Sequence, residues 1–321
     1  MLSVEGLRIH FRTIQGDLHA VSNASFEINK AETYGIVGES GSGKTVTALS
    51  ILRLLPPSAQ IISGCIMFKG QNLLELNDKE IRRLRGKEIA MVFQDPQTSF
   101  DPVFTLANQI GEAIKIHQRL PKDKIVQHIV QLLCNVGIPN PEVRKDQYPH
   151  QFSGGMKQRA MSAMALSNNP DLVIADEPTT SLDVTIQAQI IDLLRTLKKD
   201  LGVAVLLITH DMGLVAELCD RISVMYAGYV VETADADSLF KNPRHPYTRA
   251  LMESIPRIDF DKEELESIPG RVPNPVDLPP YCVFQPRCRH AKEICLSGMP
   301  KLLDVQRGAK VACFRAQRGE L

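Results

Sequence analysis

Tryptophan is absent from these 321 residues, and all aromatics together make up 5%. Recognition of sugars or single-stranded bases by stacking needs exposed rings, so both classes are disfavoured. Net charge is missing as well, because 37 basic side chains meet 37 acidic ones. A broad nucleic-acid surface needs a basic excess, which leaves room for a local patch at most. No long apolar run exists. The longest, Val203 to Ile208, has strand length and falls short of the roughly 18 residues a membrane helix needs. Residues Met1 to Phe11 carry Glu5, Arg8 and His10 and lack the apolar stretch of a secretory signal. The expectation is a cytosolic protein, or one held at a membrane by a partner. Internal repeats and heptad runs are also absent.

What is present is ordinary for a folded protein: 44% hydrophobic and 23% charged residues. Disorder is excluded as the main state. Of seven cysteines, Cys65, Cys134 and Cys219 are scattered in apolar or helical contexts, as buried thiols often are. Cys282, Cys288, Cys295 and Cys313 crowd the end of the chain, which points to metal ligation before disulfides in a reducing compartment.

Residues 1–30 read as strands around a Gln15-Gly16-Asp17 turn, with Val4, Leu7, Ile9 and Phe11 apolar among polar neighbours. Thr33 to Val37 is a short apolar strand, followed by a helix pattern from Lys44 to Leu55 that stops at Pro56-Pro57. Ser63 to Gly70 and Lys87 to Gln94 are further strands. Helical spacing fills 105–150, as in Leu106, Ile110, Ala113 and Ile114. Strands return at Leu172 to Ala175 and Val203 to Ile208, with a helix from Thr185 to Lys199 between them. Alternation of this kind predicts a mostly parallel sheet with ligands beyond its carboxyl edge. Four strands end in the glycine loop, Gln94, Asp176-Glu177 and His210. Residues 236–321 are proline-rich and read as an appended segment.

Three motifs carry chemistry. Gly38-x4-Gly43-Lys44-Thr45 has the P-loop pattern, with a strand before it and a helix after it. Its backbone N–H groups would cradle phosphates, Lys44 would reach the β- and γ-phosphates, and Thr45 would ligate Mg2+. The apolar strand Leu172 to Ala175 ends in Asp176, suited to the Mg2+ shell, and Glu177, suited to polarising an attacking water. Ser153-Gly154-Gly155 precedes a helix over Met156 to Leu166, a second anion-binding start.

Together these motifs resemble the ATPase subunits of ATP-binding-cassette (ABC) transporters, in which the Ser-Gly-Gly loop of one subunit closes over ATP held by the P-loop of another. The family has Gln after the two glycines and this chain has Met156, a variant similar to peptide-importer ATPases. The resemblance implies an α/β fold: a P-loop NTPase with a RecA-like parallel-sheet core, an N-terminal antiparallel β portion, a helical subdomain inserted at about 97–158 and a cysteine-bearing C-terminal extension. The cassette would span 1–235 and the extension 236–321. Gly38, Glu39, Ser40, Gly41, Ser42, Gly43, Lys44 and Thr45 would bind ATP. Phe11 would stack on adenine, or else be a plain core residue of its strand. Gln94, as the Q-loop glutamine, would join Thr45 and Asp176 at Mg2+. Glu177 and His210 would complete the catalytic set, and Ser181-Leu182-Asp183 would be the D-loop communicating across a dimer.

Pro149 to Met156, His245-Pro246-Tyr247-Thr248 and the cysteine tail look like the oligopeptide/dipeptide importer branch, which also includes importers of nickel and other small solutes. Implied partners are a second, distinct ABC ATPase, two membrane permeases and, through them, a solute-binding protein, with no nucleic acid. The implied location is peripheral, on the cytoplasmic face of the inner membrane. A non-transport ABC ATPase is the other class, but such proteins usually carry two cassettes or long coiled-coil insertions. The tail, Cys282-x5-Cys288-x6-Cys295-x17-Cys313, resembles a segment that holds a 4Fe-4S (iron–sulfur) cluster. Zinc and four unliganded thiols stay open. Arg287 and Arg289 flank Cys288 and would favour its thiolate, or else be solvated surface charges.

Overall fold

The computed structural model describes residues 1–180, 184–254, 268–306 and 308–321. The expected D-loop residues Ser181, Leu182 and Asp183 lie outside them. Strands β1 (Leu2–Thr13) and β2 (Gly16–Ile28) form the anticipated hairpin, with Leu2, Val4, Leu7 and Ile9 facing the core. Strand β3 (Thr33–Val37) is buried throughout, as a continuous apolar run in a covered sheet should be. Each such aliphatic side chain contributes about 2 kcal/mol when taken from water.

Helix α1 (Lys44–Ile51) is shorter than the pattern to Leu55 predicts. Arg53 turns left-handed at φ 50°, and the amides of Arg53 and Leu54 fold back onto the carbonyls of Ser50 and Leu49 at 3.0 and 2.9 Å. That reversed pair of bonds terminates a helix irrespective of the apolar residues beyond it. Strand β4 (Ala59–Phe68) begins earlier than expected, and β5 (Gln71–Asn72) and α2 (Asp78–Leu84) were not anticipated. Helix α2 buries only Ile81, so it has no apolar period to read. Its signal is the capping box: Asn77 Oδ1 accepts from the amides of Lys79 and Glu80, and Glu80 accepts from Asn77 N–H.

Strand β6 (Ile89–Val92) is short and leaves Gln94 two residues past its end. The helical stretch is α3 (Leu106–His117), α4 (Lys122–Asn135) and α5 (Pro141–Arg144). Helix α6 (Gly154–Leu166) follows, starting two residues before the expected Met156. Then come β7 (Leu172–Asp176), α7 (Val184–Leu201), β8 (Ala204–Thr209) and α8 (Met212–Leu218). Strands β9 (Arg221–Tyr226) and β10 (Tyr229–Asp235) form a hairpin that the sequence did not announce. Its Ala227-Gly228 turn has φ of 47° and 81°, a primed turn usually signalled by Asn-Gly. The chain closes with α9 (Ala236–Lys241), α10 (Pro246–Glu253), β11 (Leu303–Gln306), β12 (Ala309–Val311) and α11 (Phe314–Gln317).

Two compact units result. The first contains 1–28, 34–74 and 208–321, with strand order β5-β4-β1-β2-β10-β9-β3. Its β1, β2 and β4 pair antiparallel, whereas β3 and β9 pair parallel. Strand β12 adds antiparallel to β10, with Glu232 opposite Val311, and β11 pairs with β12. The second unit contains 29–33 and 75–207, with β6 and β7 paired parallel and α3, α4 and α6 packed together. Among the described residues no helix is long and apolar enough to cross a membrane.

A buried polar knot holds the start of α10 to β10. The Glu232 carboxylate accepts from the amides of Arg244 and His245 at 2.7 and 2.9 Å, and His245 Nδ1 accepts from Tyr247 N–H at 3.1 Å. Burial pushes the His245 imidazole down to about 3. The unfolded ring takes its proton near 6.5, so this stabilisation is present above that pH and is lost as pH falls from 6.5 toward 3, at about 1.4 kcal/mol per pH unit. Burial raises the Glu232 carboxyl, which acts in the opposite sense, so the difference between two proteins isolates the histidine. His245→Asn should be less stable at pH 7.5 but lose stability less steeply between pH 6.5 and 5. Urea denaturation of both proteins at each pH measures this, and parallel pH profiles would refute it.

Candidate phosphate-loop and carboxylate sites

In the first unit, β3 runs into a loop in which two glycines are packed too closely for a side chain. A Cβ on Gly38 would lie 2.1 Å from the carbonyl oxygen of Met225, and one on Gly43 would lie 2.4 Å from that of Ala20. Gly43 also has φ 100°, which favours glycine. Ser42 N–H donates to the carbonyl of Glu39 at 3.2 Å. The buried Lys44 folds back into the loop and donates to the carbonyls of Gly38 at 2.8 Å and Glu39 at 3.0 Å. Thr45 stands next to it in the first turn of α1. A bare backbone around an ammonium group at a helix start is suited to a polyphosphate.

Phe11 lies on β1, opposite Leu18 and Ala59, and is only partly buried, unlike Leu7 and Ile9 on the same strand. His210 is exposed, directly after β8, and Asp211 beside it caps α8 by accepting from Gly213 and Leu214.

Two residues outside the sequence reading touch the loop. Glu39 N–H donates to Tyr247 Oη at 2.9 Å, and the Glu39 carboxylate pairs with Arg287 Nη1 at 3.0 and 3.2 Å. No spacing rule links residues more than 200 positions apart. In the sequence Tyr247 stands out only within a branch signature, and Arg287 only as a neighbour of Cys288.

In the second unit, β7 delivers a buried Asp176 and then Glu177. Glu177 sits left-handed at φ 46°, a costly conformation for a side chain of this type that recurs where function demands it. Its Oε2 accepts from Gln94 Nε2 at 3.2 Å and from Thr180 Oγ1 at 2.8 Å. Gln94 and Glu177, 83 positions apart, are thus brought together. Ser153 caps α6, accepting from Met156 N–H at 3.3 Å, with Gly154 and Gly155 in the first turn. Lys157 of that turn donates to Gln97, tying the segment after β6 to the start of α6.

The four tail cysteines share one neighbourhood, and all seven in the chain are free thiols. Cys282 N–H donates to the carbonyl of Cys295 at 3.2 Å. Burial, with a smaller contribution from the other three sulfurs, pushes the Cys282 thiol up to about 12. Burial likewise pushes Cys288 up to about 11. Among the described residues no three or more His, Cys, Asp or Glu side chains stand in metal-holding geometry. Arg287 departs from both expectations made for it, being buried on Glu39, whereas Arg289 is the exposed surface charge the second expectation describes, paired with Glu253; Arg315 is a cation that acts on Cys288.

Comparison with known proteins agrees with this geometry. The ABC transporter family matches residues 21–180, and the oligopeptide/dipeptide transporter C-terminal region matches residues 231–295. A probable peptide ABC transporter ATP-binding protein, y4tR, of Sinorhizobium fredii is 49% identical over 98% of this chain and 95% of its own. The dipeptide transport ATP-binding protein DppD of Escherichia coli is 48% identical over 98% and 96%. Among solved structures, the dimeric post-hydrolysis ATP-binding cassette MJ0796 with ADP and Pi superimposes with a TM-score of 0.67 at 25% identity, covering 74% of this chain and 99% of that one. The fold is the α/β P-loop fold of these cassettes with its RecA-like core, and ATP and Mg2+ are what such a cassette uses. A Gly38–Thr45 loop in which Gly38 and Gly43 leave no room for a Cβ, a strand ending in Asp176-Glu177 and near 50% identity along almost the whole chain make it a member of the ABC transporter ATPase subunits, in their oligopeptide/dipeptide branch.

Proposed function

We propose that this chain hydrolyses ATP to drive import of di- or oligopeptides through membrane permease partners. The observation that carries the hydrolytic reading is the Gln94–Glu177 hydrogen bond beside the buried Asp176. It holds a carboxylate and an amide where a water and a cation can be shared between them. The relatives named for peptide and dipeptide transport support the substrate class.

In this reading residues 38–45 hold the ATP phosphates and Phe11 stacks on adenine. Lys44 offsets charge on the β- and γ-phosphates. Thr45, Gln94 and Asp176 would hold Mg2+, which neutralises phosphate charge when bound. Glu177 accepts a proton from the attacking water, and His210 orients the γ-phosphate. Ser153, Gly154 and Gly155 read the ATP of a second cassette, and Ser181, Leu182 and Asp183 carry the signal across that dimer. The cassette is residues 1–235, its helical insertion at about 97–158 meets the permeases, and 236–321 is the extension. The working location is the cytoplasmic face of the inner membrane, with two permeases, a paralogous ATPase and a solute-binding protein. Cys282, Cys288, Cys295 and Cys313 would hold a 4Fe-4S cluster in preference to zinc, supported by their shared neighbourhood.

Glu177→Gln should keep MgATP binding and lose about 10²- to 10⁴-fold in single-turnover hydrolysis, the usual range for removing a general base. Near-normal turnover would remove Glu177 from that role. For assembly, the purified chain should remain monomeric with ATP and become an active dimer on addition of the paralogous ATPase. Sedimentation velocity with parallel phosphate release reads this, and full activity of the chain alone would favour a homodimer. Anaerobically purified protein should be brown, absorb near ~400 nm and contain iron. Colourless protein with stoichiometric zinc, or with four freely titratable thiols, would discard the cluster.

A further inference from the structure

The phosphate loop carries an acidic residue, Glu39, between its first glycine and its lysine. A carboxylate in a polyanion-binding loop opposes the ligand unless something neutralises it. Arg287 does so. Its side chain is 6% exposed, and all its donor groups are engaged. Nη1 meets both Glu39 oxygens and Tyr226 Oη at 3.3 Å, Nε meets the carbonyl of Pro269 at 2.9 Å, and Nη2 that of Ile268 at 3.3 Å. The guanidinium is thus fixed by the extension before it reaches the loop.

A second tie runs through the backbone. Tyr247 Oη takes the Glu39 N–H, while the Glu39 carbonyl takes Lys44 Nζ. The peptide units on either side of Glu39 therefore connect the extension to the phosphate-binding lysine. Tyr247 is itself immobilised, fully buried in a ring cluster with Tyr226 at 4.6 Å and Phe284 at 5.4 Å between centroids. Phe284 and Arg287 belong to the short turn between Cys282 and Cys288, closed by Gln285 N–H to the Cys282 carbonyl and Cys288 N–H to that of Gln285.

We propose that the C-terminal extension is part of the nucleotide site, with Arg287 and Tyr247 as positioning residues that neutralise and brace Glu39 so that the loop accepts ATP's phosphates. This rests on the reading of residues 38–45 as the ATP phosphate loop. Phosphate affinity then depends on the fold of the extension, acting through Glu39.

The test is equilibrium binding of MgATP and of AMP to the full-length chain, followed by steady-state kinetics in the assembled complex. Arg287→Gln should weaken MgATP about tenfold, within the range of coupling between linked sites. AMP, with few phosphate contacts to lose, should change less than about twofold, the limit for uncoupled changes. In the complex KM for ATP should rise with kcat largely retained. Arg287→Lys should fall between the two, since it keeps the charge and loses the fork. The double variant Glu39→Gln/Arg287→Gln should recover most MgATP affinity, because the unneutralised carboxylate is gone. Unchanged MgATP affinity in Arg287→Gln, equal losses for MgATP and AMP, or no recovery in the double variant would each overturn the proposal. Should Arg287→Gln fail to fold, Tyr247→Phe removes only the hydroxyl. It should still weaken MgATP selectively, and wild-type affinities for both nucleotides would overturn the proposal. A wild-type chain that binds no MgATP would instead refute the reading of the loop itself.

Discussion

Two contacts between glycine and carbonyl oxygen set the terms for the first unit. Gly38 packs under Met225 and Gly43 under Ala20, each closer than any side chain allows. Met225 lies on β9 and Ala20 on β2, so the loop is clamped between two strands. Those strands must therefore be buried and correctly placed before the loop can have its shape. The apolar faces of β2, β3 and β9 supply that. The shape of the loop is a by-product of dense packing behind it rather than a property of the loop alone.

The second unit answers with strain instead of packing. Glu177 is held left-handed at the end of a fully buried strand, where the next residue is a proline. Such a backbone costs of order 1–3 kcal/mol and persists only if its surroundings insist on it. Thr180 and Gln94 both donate to its carboxylate, so the side chain is oriented as firmly as the backbone.

Much of this was legible in the sequence because the relevant forces are local. Strand β3 was read to the residue, and β7 and β8 nearly so, since continuous apolar runs bounded by polar motifs leave little choice of register. The P-loop and the Asp176-Glu177 pair were legible for the same reason. What escaped has no periodic signature. Helix α2 buries one residue and depends on its cap. The β9–β10 hairpin turns on Ala-Gly, and α1 stops at a left-handed arginine. Tyr247 and Arg287 reach Glu39 only through tertiary structure. Arg287 in particular looked like a cysteine's neighbour, and only folding shows that its charge is committed elsewhere.

Strand β12 has a consequence for anyone shortening the chain. Its Ala309–Val311 segment covers β10, and the Val231 carbonyl is taken by Ala312 N–H at 2.8 Å. A fragment stopped at the nominal cassette boundary near residue 235 would uncover that row of main-chain donors and acceptors along an apolar strand. Such a bare margin recruits other strands. The excised cassette would then be a sticky molecule, and its poor behaviour in solution would say nothing about whether the ATPase itself was intact.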